Sequence, residues 1–338
     1  MKLTVSKSKN SATFYVQKSI RKSNGSVTTV TIEKLGNLDM VKTRANGKDP
    51  YIWAQEYVDE LNRKEYEEQK EILIKCSPSK LLKIDEKHLF NCGYLFLQSI
   101  YYSLNLDKIC SKISKKYSFE YDLNDILSRL IFTRILYPSS KLASNRSSKM
   151  FIEQPTFNLH DIYRSLSVLA KESDFIQSEL YKNSQIILPR RNDILYYDCT
   201  NYYFEIEQED ELRKYGKSKQ HQQLPIVGMV MKTEFSARPI YLQREDRIKA
   251  HFITCFASLV VFRILEKKLG EQYTCDEIIN VLRSMMMYRP GEKLGYLPAY
   301  TRTAITDALH EAFGFRTDYE ILTDLSMKKV FRDSKKSR

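Results

Sequence analysis

Apolar and polar positions alternate through residues 12–34, "ATFYVQKSIRKSNGSVTTVTIEK", in two β-rich runs on either side of Asn24-Gly25. Asn-Gly suits a tight hairpin turn because both residues tolerate positive φ, so the pattern predicts a β-hairpin. The period lengthens at Pro50. "YIWAQEYVDELNRKEYEEQKEIL" spaces its apolar residues as a helix does, with charged residues between, and Pro50 stands where helices begin; this predicts a helix over residues 50–74. Between residues 90 and 190, "GYLFLQSIYYSLNL", "LNDILSRLIFTRIL" and "HDIYRSLSVLAKES" each carry an apolar stripe of helical period, and Pro138 and Pro155 interrupt the series.

The character changes at Arg191. "RNDILYYD", "NYYFEIE" and "PIVGMVM" read as three strands, the first holding a continuous apolar and aromatic run of the kind found in strands buried on both faces. From Asp246 the period is helical again, and "DRIKAHFITCFASLVVFRILEKKL" puts Ile248, Phe252, Phe256, Leu259 and Val260 on one face. Thr274-x-x-Glu277 and Thr317-x-x-Glu320 have the form of capping boxes and predict two further helix starts. The Met285-Met286-Met287 run reads as helix packing rather than as a cofactor contact.

Composition narrows the class. The chain has 338 residues, 42% of them hydrophobic, enough for two or three domains with a sizeable core. Sparse Gly and Pro exclude fibrous and low-complexity classes. No uninterrupted apolar run reaches the length of a membrane span, and the N-terminal "MKLTVSKSKN" lacks the apolar stretch of a signal peptide, so a cytoplasmic protein with no membrane partner is expected. The cysteines at 76, 92, 110, 199, 255 and 275 form no Cys-x-x-Cys pair, and the five histidines are scattered, which reads as reduced thiols rather than a disulfide frame or a zinc site.

Charge points to a partner. The net charge is +12. The first 50 residues hold ten Lys/Arg against three Asp/Glu, or +7, and the last twelve hold six against one, or +5. Basic ends of this kind suit a polyanion, most often nucleic acid.

One carboxylate stands out. Asp198 ends the apolar run of "DILYYD" and is followed by the small polar stretch Cys199-Thr200-Asn201. A carboxylate there is costly to bury unless it is paired or binds a metal, and two-metal phosphoryl-transfer enzymes use carboxylates in that way. Read from the residues alone, the simpler role of Asp198 is a side chain that caps the following turn. The acidic run Glu205, Glu207, Glu209, Asp210 and Glu211 reads as a solvated turn, and His310-Glu311 lacks the second His of a metalloprotease helix.

Two longer stretches carry a family resemblance. "DILYYDCTNYYFE" resembles the first catalytic-aspartate strand of bacterial insertion-sequence transposases with a DDE, RNase-H-like core. "VMKTEFSARPIYLQREDRIKAHFITCFASL" resembles the segment after the catalytic glutamate in the same group. The N-terminal hairpin ending in "IEKLG" and the helical region after it are similar as well, so the resemblance spans nearly the whole chain in the expected order. It implies an α+β fold: an N-terminal basic β-hairpin region over 1–48, a helical DNA-binding region over 49–190, a truncated RNase-H-like core over 191–268, and C-terminal helices with a basic tail over 269–338. It implies Mg²⁺- or Mn²⁺-dependent cleavage and transfer of DNA strands at the element's ends, with DNA as partner. A homo-oligomer or a mixed oligomer with intact transposase is the implied assembly. Asp198 is then the first metal-holding catalytic carboxylate, with Thr200 and Asn201 in the turn after it, and Lys232 is the motif lysine that contacts DNA phosphate.

The same resemblance exposes a gap. In the family a Tyr, an Arg, a Glu and a Lys recur at fixed spacing, with seven positions from Glu to Lys. Counting back from Lys232, the Glu position holds Pro225, the Arg position His221 and the Tyr position Ser218. Only 33 residues separate Asp198 from Lys232, and two strands use many of them. With helices of about 11 residues and strands of about 5, the course carrying the second aspartate and the glutamate does not fit. The expectation is an internal deletion joined within "PIVGMVMKTEF", a catalytically defective transposase, or alternatively a non-catalytic DNA-binding or inhibitory partner of an intact one.

Overall fold

The computed structural model describes residues 1–8, 11–21, 27–68, 79, 81, 83–189, 200–203, 226–229, 242, 244–291 and 294–336. The fold is mixed α+β, with N-terminal strands and C-terminal helices as expected, and contacts divide the chain into two compact units, Met1–Lys80 and Leu81–Arg338.

The first unit holds β1 (Lys2–Ser8), β2 (Ser11–Arg21), β3 (Val27–Asn37), α1 (Leu38–Ala45) and α2 (Pro50–Glu68). The strands form one antiparallel sheet in the order β1-β2-β3. β2 and β3 are the arms of the expected hairpin; its Asn24-Gly25 turn lies outside the described residues. Alternation sends Ala12, Phe14 and Val16 to one face, where with Leu35 they bury against Val41 of α1 and Ala54 and Val58 of α2. Asn37 caps α1 by accepting from the Met40 amide. The expected boundary at residue 48 therefore falls inside this unit, because the helix after it completes the sheet's core. Residues 69–74 of the expected helix lie outside the described residues.

The second unit begins with β4 (Leu89–Asn91), α3 (Tyr94–Ser103), α4 (Leu106–Ser114), α5 (Leu123–Leu136), α6 (Lys141–Ser148), α7 (Leu159–Lys171) and α8 (Ser173–Ile187). It continues with β5 (Thr200–Tyr203), β6 (Ile226–Met229), α9 (Glu245–Lys268), α10 (Cys275–Ser284), β7 (Met286–Tyr288), β8 (Leu297–Pro298), α11 (Ala304–Phe313) and α12 (Asp324–Ser334). Local signals set most helix starts. Asp122 caps α5 through the amides of Asn124 and Asp125, and Asn158 with Asp161 forms a full capping box on α7. The expected Thr274–Glu277 box is present at the start of α10.

α9 runs through the core against α3, α5, α7 and α8. The apolar stripe expected on it is only part of what it buries: Ile248 and Phe252 are buried, but so are His251, Cys255, Val261 and Phe262, while Phe256, Leu259 and Val260 are half-buried. A helix with neighbours on most sides keeps only a narrow polar strip, here Lys249, Arg263 and Lys267. At 24 residues, with a mean hydropathy of 1.7 over its most apolar window, α9 is long and apolar enough to cross a membrane. That measure is one of length and composition, and 72% of the window is buried inside the protein, as in a core helix. α9 and the C-terminal helices share one hydrophobic core with α3 to α8, so the expected boundaries at 190 and 268 separate no compact units.

Two further expectations are corrected. Thr317-x-x-Glu320 starts no helix: Thr317 is buried, and its hydroxyl lies 2.9 Å from the Tyr300 hydroxyl and 3.0 Å from His310 Nε2. With its oxygen committed there, it is not free to cap, and helices start instead fourteen residues earlier at the Thr303 cap of α11 and six residues later at the Thr323 cap of α12. Met286 and Met287 lie on strand β7 rather than on a helix, in a sheet of order β4-β7-β8. Leu89 pairs with Tyr288, and Phe90 with Met287.

Candidate nucleic-acid interface

Asp198 and Lys232 lie outside the described residues, as do Ser218, His221, Pro225 and the strand expected at 191–198. The flanking strands are in place. β5 and β6 pair antiparallel, Thr200 opposite Met229 and Tyr203 opposite Ile226. Thr200 and Asn201 therefore open a strand, where a turn was expected, because their backbones are taken by the ladder to β6.

Among the described residues, one group holding two carboxylates has the spacing of metal ligands. Asp307, His310 and Asp318 bring their ligand atoms within 4.8 Å of one another. The residues do not fit a cation. Arg316 grips Asp318 with both Nε (2.8 Å) and Nη2 (2.6 Å) and reaches Asp307 at 3.1 Å. Arg302 bonds Asp307 at 2.7 Å. The backbone N–H of Thr317 donates to His310 Nε2 at 3.1 Å, which leaves the ring proton on Nδ1, facing Asp318 Oδ2 at 3.6 Å. Two guanidiniums already neutralise the carboxylates, and the imidazole turns a proton rather than a lone pair toward them. Burial of the His310 ring, against the opposing pull of the Asp318 charge, lowers its pKa and keeps it neutral near pH 7. The group is an ion-pair network, buried at His310 and Asp318 and open to solvent at Arg302, that ties α11 to residues 316–318.

A cleft of about 470 Å³ has the opposite character. The connection between α4 and α5 contributes Tyr117, Phe119 and Tyr121 at every second position, as extended chain presents one side. His160, Tyr163, Arg164 and Ser167 come from one face of α7, spaced at three and four residues. Arg247 enters from the first turn of α9. Phe119 and Tyr121 stack at 4.3 Å with planes 2° apart, and Tyr117 continues the stack at 6.3 Å from Phe119. Arg164 lies over the Tyr121 ring at 5.7 Å, and Arg247 over Tyr163 at 6.0 Å.

The cleft's electrostatics come from what its charges do elsewhere. Asp246 accepts from Ser167 at 2.9 Å and from both Arg244 nitrogens. Burial raises its pKa, but those bonds and the Arg247 charge outweigh burial and hold it below the usual carboxylate value. Arg247 also donates to the Tyr163 carbonyl, which fixes its guanidinium at the rim. Tyr117 donates to Glu172 at 2.9 Å, and burial pushes the Tyr121 phenol up against the Arg164 charge, so both stay protonated donors. Arg164 is exposed and, among the described residues, has no carboxylate within ion-pair distance. Core packing accounts for the half-buried Tyr117-Phe119-Tyr121 stack, which lies against the main core. It does not account for an unpaired arginine, an exposed His160 and a 41%-exposed Tyr163 arranged around that stack. Aromatic faces with interleaved guanidiniums can stack bases and neutralise phosphates.

Sequence reading treated α7 as an apolar stripe and passed over its other face. The every-second-residue aromatics of "KKYSFEY" and the His-x-x-Tyr-Arg-x-x-Ser spacing were the available signal. Compared with protein-family models, curated proteins and solved structures, the chain gives no match.

Proposed function

We propose that this chain is a DNA-binding protein of the insertion-sequence transposase group whose DDE centre is incomplete. The observation that carries the DNA-binding part is the cleft between the α4–α5 connection, α7 and α9, with its aromatic stack and an Arg164 that has no carboxylate partner among the described residues. Its walls from the α4–α5 connection and α7 fall in the helical stretch that the sequence resemblance assigns to DNA, on a chain of net charge +12. The four described cysteines, Cys92, Cys110, Cys255 and Cys275, are buried thiols in no disulfide, which suits the reducing cytoplasm proposed for it. Replacing Arg164 or Tyr121 by alanine is expected to weaken DNA binding about tenfold each, since a base stacked on an aromatic contributes about 1–3 kcal/mol. Fluorescence anisotropy with labelled DNA, alongside unchanged melting of the variants, checks this; full affinity in both variants sinks the cleft as the interface.

Catalysis is a separate claim. Mg²⁺ or Mn²⁺ would rest on Asp198 with the family's other two carboxylates missing, and one carboxylate does not hold two metals in working geometry. Incubating the purified chain with Mn²⁺ and DNA bearing the element's ends is expected to give no nicking, and the Asp198→Ala variant is expected to behave identically. Nicking that disappears in the variant would overturn the defective-centre reading. The missing carboxylates favour the second reading as well, in which the chain joins an intact transposase and inhibits it; coexpression that leaves transposition frequency unchanged would remove that one.

A further inference from the structure

Among the described residues of the first unit, α1 and α2 cover one face of the N-terminal sheet and no element covers the other, here called the open face. Register places Lys2, Thr4, Tyr15, Gln17, Thr31 and Lys34 together on the open face: Lys2 pairs with Gln17, Thr4 with Tyr15, Tyr15 with Lys34, and Gln17 with Thr31. The Thr4 hydroxyl donates to Gln17 Oε1 at 2.9 Å, and Gln17 Nε2 donates to the Thr31 hydroxyl at 3.4 Å. A ladder of hydroxyl and amide groups thus crosses all three strands, flanked by lysines at β1 and β3. Tyr15 is its sole large ring.

Charge is segregated across the unit. Residues 2–37 hold seven Lys/Arg and one acid, a net of +6, whereas residues 50–68 of α2 hold six acids and two bases, a net of −4. The single acid of the strands, Glu33, pairs opposite buried Val16 and so sits on the helix-covered side, where it accepts from the Tyr57 hydroxyl at 3.1 Å. No carboxylate therefore stands among the paired residues of the open face. Its side chains are those that bond base edges and phosphates: Lys to guanine, Gln to adenine, Thr to either, and Lys to phosphate. The three backbones span about 10 Å at ordinary strand spacing, and the major groove of B-DNA is about 12 Å wide.

We infer that the open face of the β1-β2-β3 sheet binds duplex DNA in the major groove, with α2 turned away from the phosphates. This rests on the DNA-binding reading above and assigns it a second surface, distinct in residues and ligand form from the aromatic cleft. A twisted antiparallel sheet follows the groove, the lysines neutralise phosphates along its edges, and the Thr–Gln–Thr ladder faces the base edges.

The test uses the full chain and a fluorescein-labelled duplex of mixed sequence. The double variant Lys2→Glu/Lys34→Glu is compared with Lys48→Glu, which reverses one charge in the turn between α1 and α2. The double variant is expected to lose at least about tenfold in affinity and to flatten the salt dependence by about two in log–log slope, one per lysine. Lys48→Glu is expected to bind as the parent does. Methyl green, a major-groove ligand, is expected to displace the parent protein, and netropsin, a minor-groove ligand, is not. Circular dichroism melting confirms that each variant is folded. Parent binding with an unaffected double variant overturns the sheet surface and leaves the DNA-binding reading standing, as does displacement by netropsin alone. No duplex binding by the parent overturns both.

Discussion

Gly93→Ala is expected to lower the melting temperature of the Leu81–Arg338 unit by about 6–12 °C, from a loss of about 3 kcal/mol at some 2–4 °C per kcal/mol for a unit of this size. Gly93 precedes α3, and a Cβ there would stand 2.1 Å from the Leu282 carbonyl oxygen and 2.8 Å from its carbonyl carbon. Those are backbone atoms near the end of α10, so no side chain can swing aside. They are also held in place. Asn91 Nδ2 donates to the Leu282 carbonyl at 2.8 Å, and the Cys92 amide donates to the Met285 carbonyl at 2.9 Å. Relief of the clash must part α3 from α10 and break those buried bonds. Gly291→Ala is the matched control, since its nearest neighbour is the Leu294 Cδ1 atom at 3.5 Å. It is expected to change stability by less than about 0.5 kcal/mol. Calorimetric melting of the two variants decides the matter, and equal melting points would sink the prediction.

The second large effect is at Asp318. Asp318→Ala is expected to cost about 2–4 kcal/mol, because its side chain is only 6% exposed and its removal leaves the His310 ring facing no carboxylate and Arg316 with only its bond to Asp307. Arg316 is one-third exposed, which places the cost below that of a fully buried pair. Acidity should act through the same network. The Arg316 hydrogen bonds hold the Asp318 carboxyl below its usual value, so the stability it contributes is complete above about pH 4, the ordinary Asp value, and is lost as pH falls through the lower folded value. Burial holds His310 below its usual value too. The unfolded chain therefore takes up that proton first, and stability begins to fall as pH drops below about 6.5. Both groups weaken the fold in the same direction. Urea unfolding across about pH 7 to 3 should show two successive losses in the parent and a flatter profile in Asp318→Ala. A parent protein equally stable over that range would remove the network from the stability argument.

Some of this architecture was legible because its causes are local. The periodicity of "LNDILSRLIFTRIL" coincides with α5 at Leu123–Leu136, the Thr274–Glu277 box opens α10, and the β-rich runs around Asn24-Gly25 pair as β2 and β3. Each depends on residues a few positions apart, and helical or strand period is a property of such neighbours. The resemblance that singles out Asp198 and Lys232 is likewise a matter of sequence alone, since both lie outside the described residues.

Other features depend on residues that only the fold brings together. Thr317 has the right spacing for a cap, but His310 and Tyr300 take its hydroxyl. α9 has a readable stripe, but four neighbouring helices bury it on most sides. Strands β4, β7 and β8 are two or three residues long, too short for an alternation to register, and exist because residues near 90, 287 and 297 meet. The cleft joins residues 117–121, 160–168 and 247, and nothing in any one of those stretches marks it as an interface. The sequence by itself determined the local elements, the basic charge and the resemblance. Tertiary structure decided which hydroxyls were free, which helix faces met solvent, and which arginine, among the described residues, was left without a carboxylate, because each is settled by groups far apart in the chain competing for the same hydrogen bond, surface or charge.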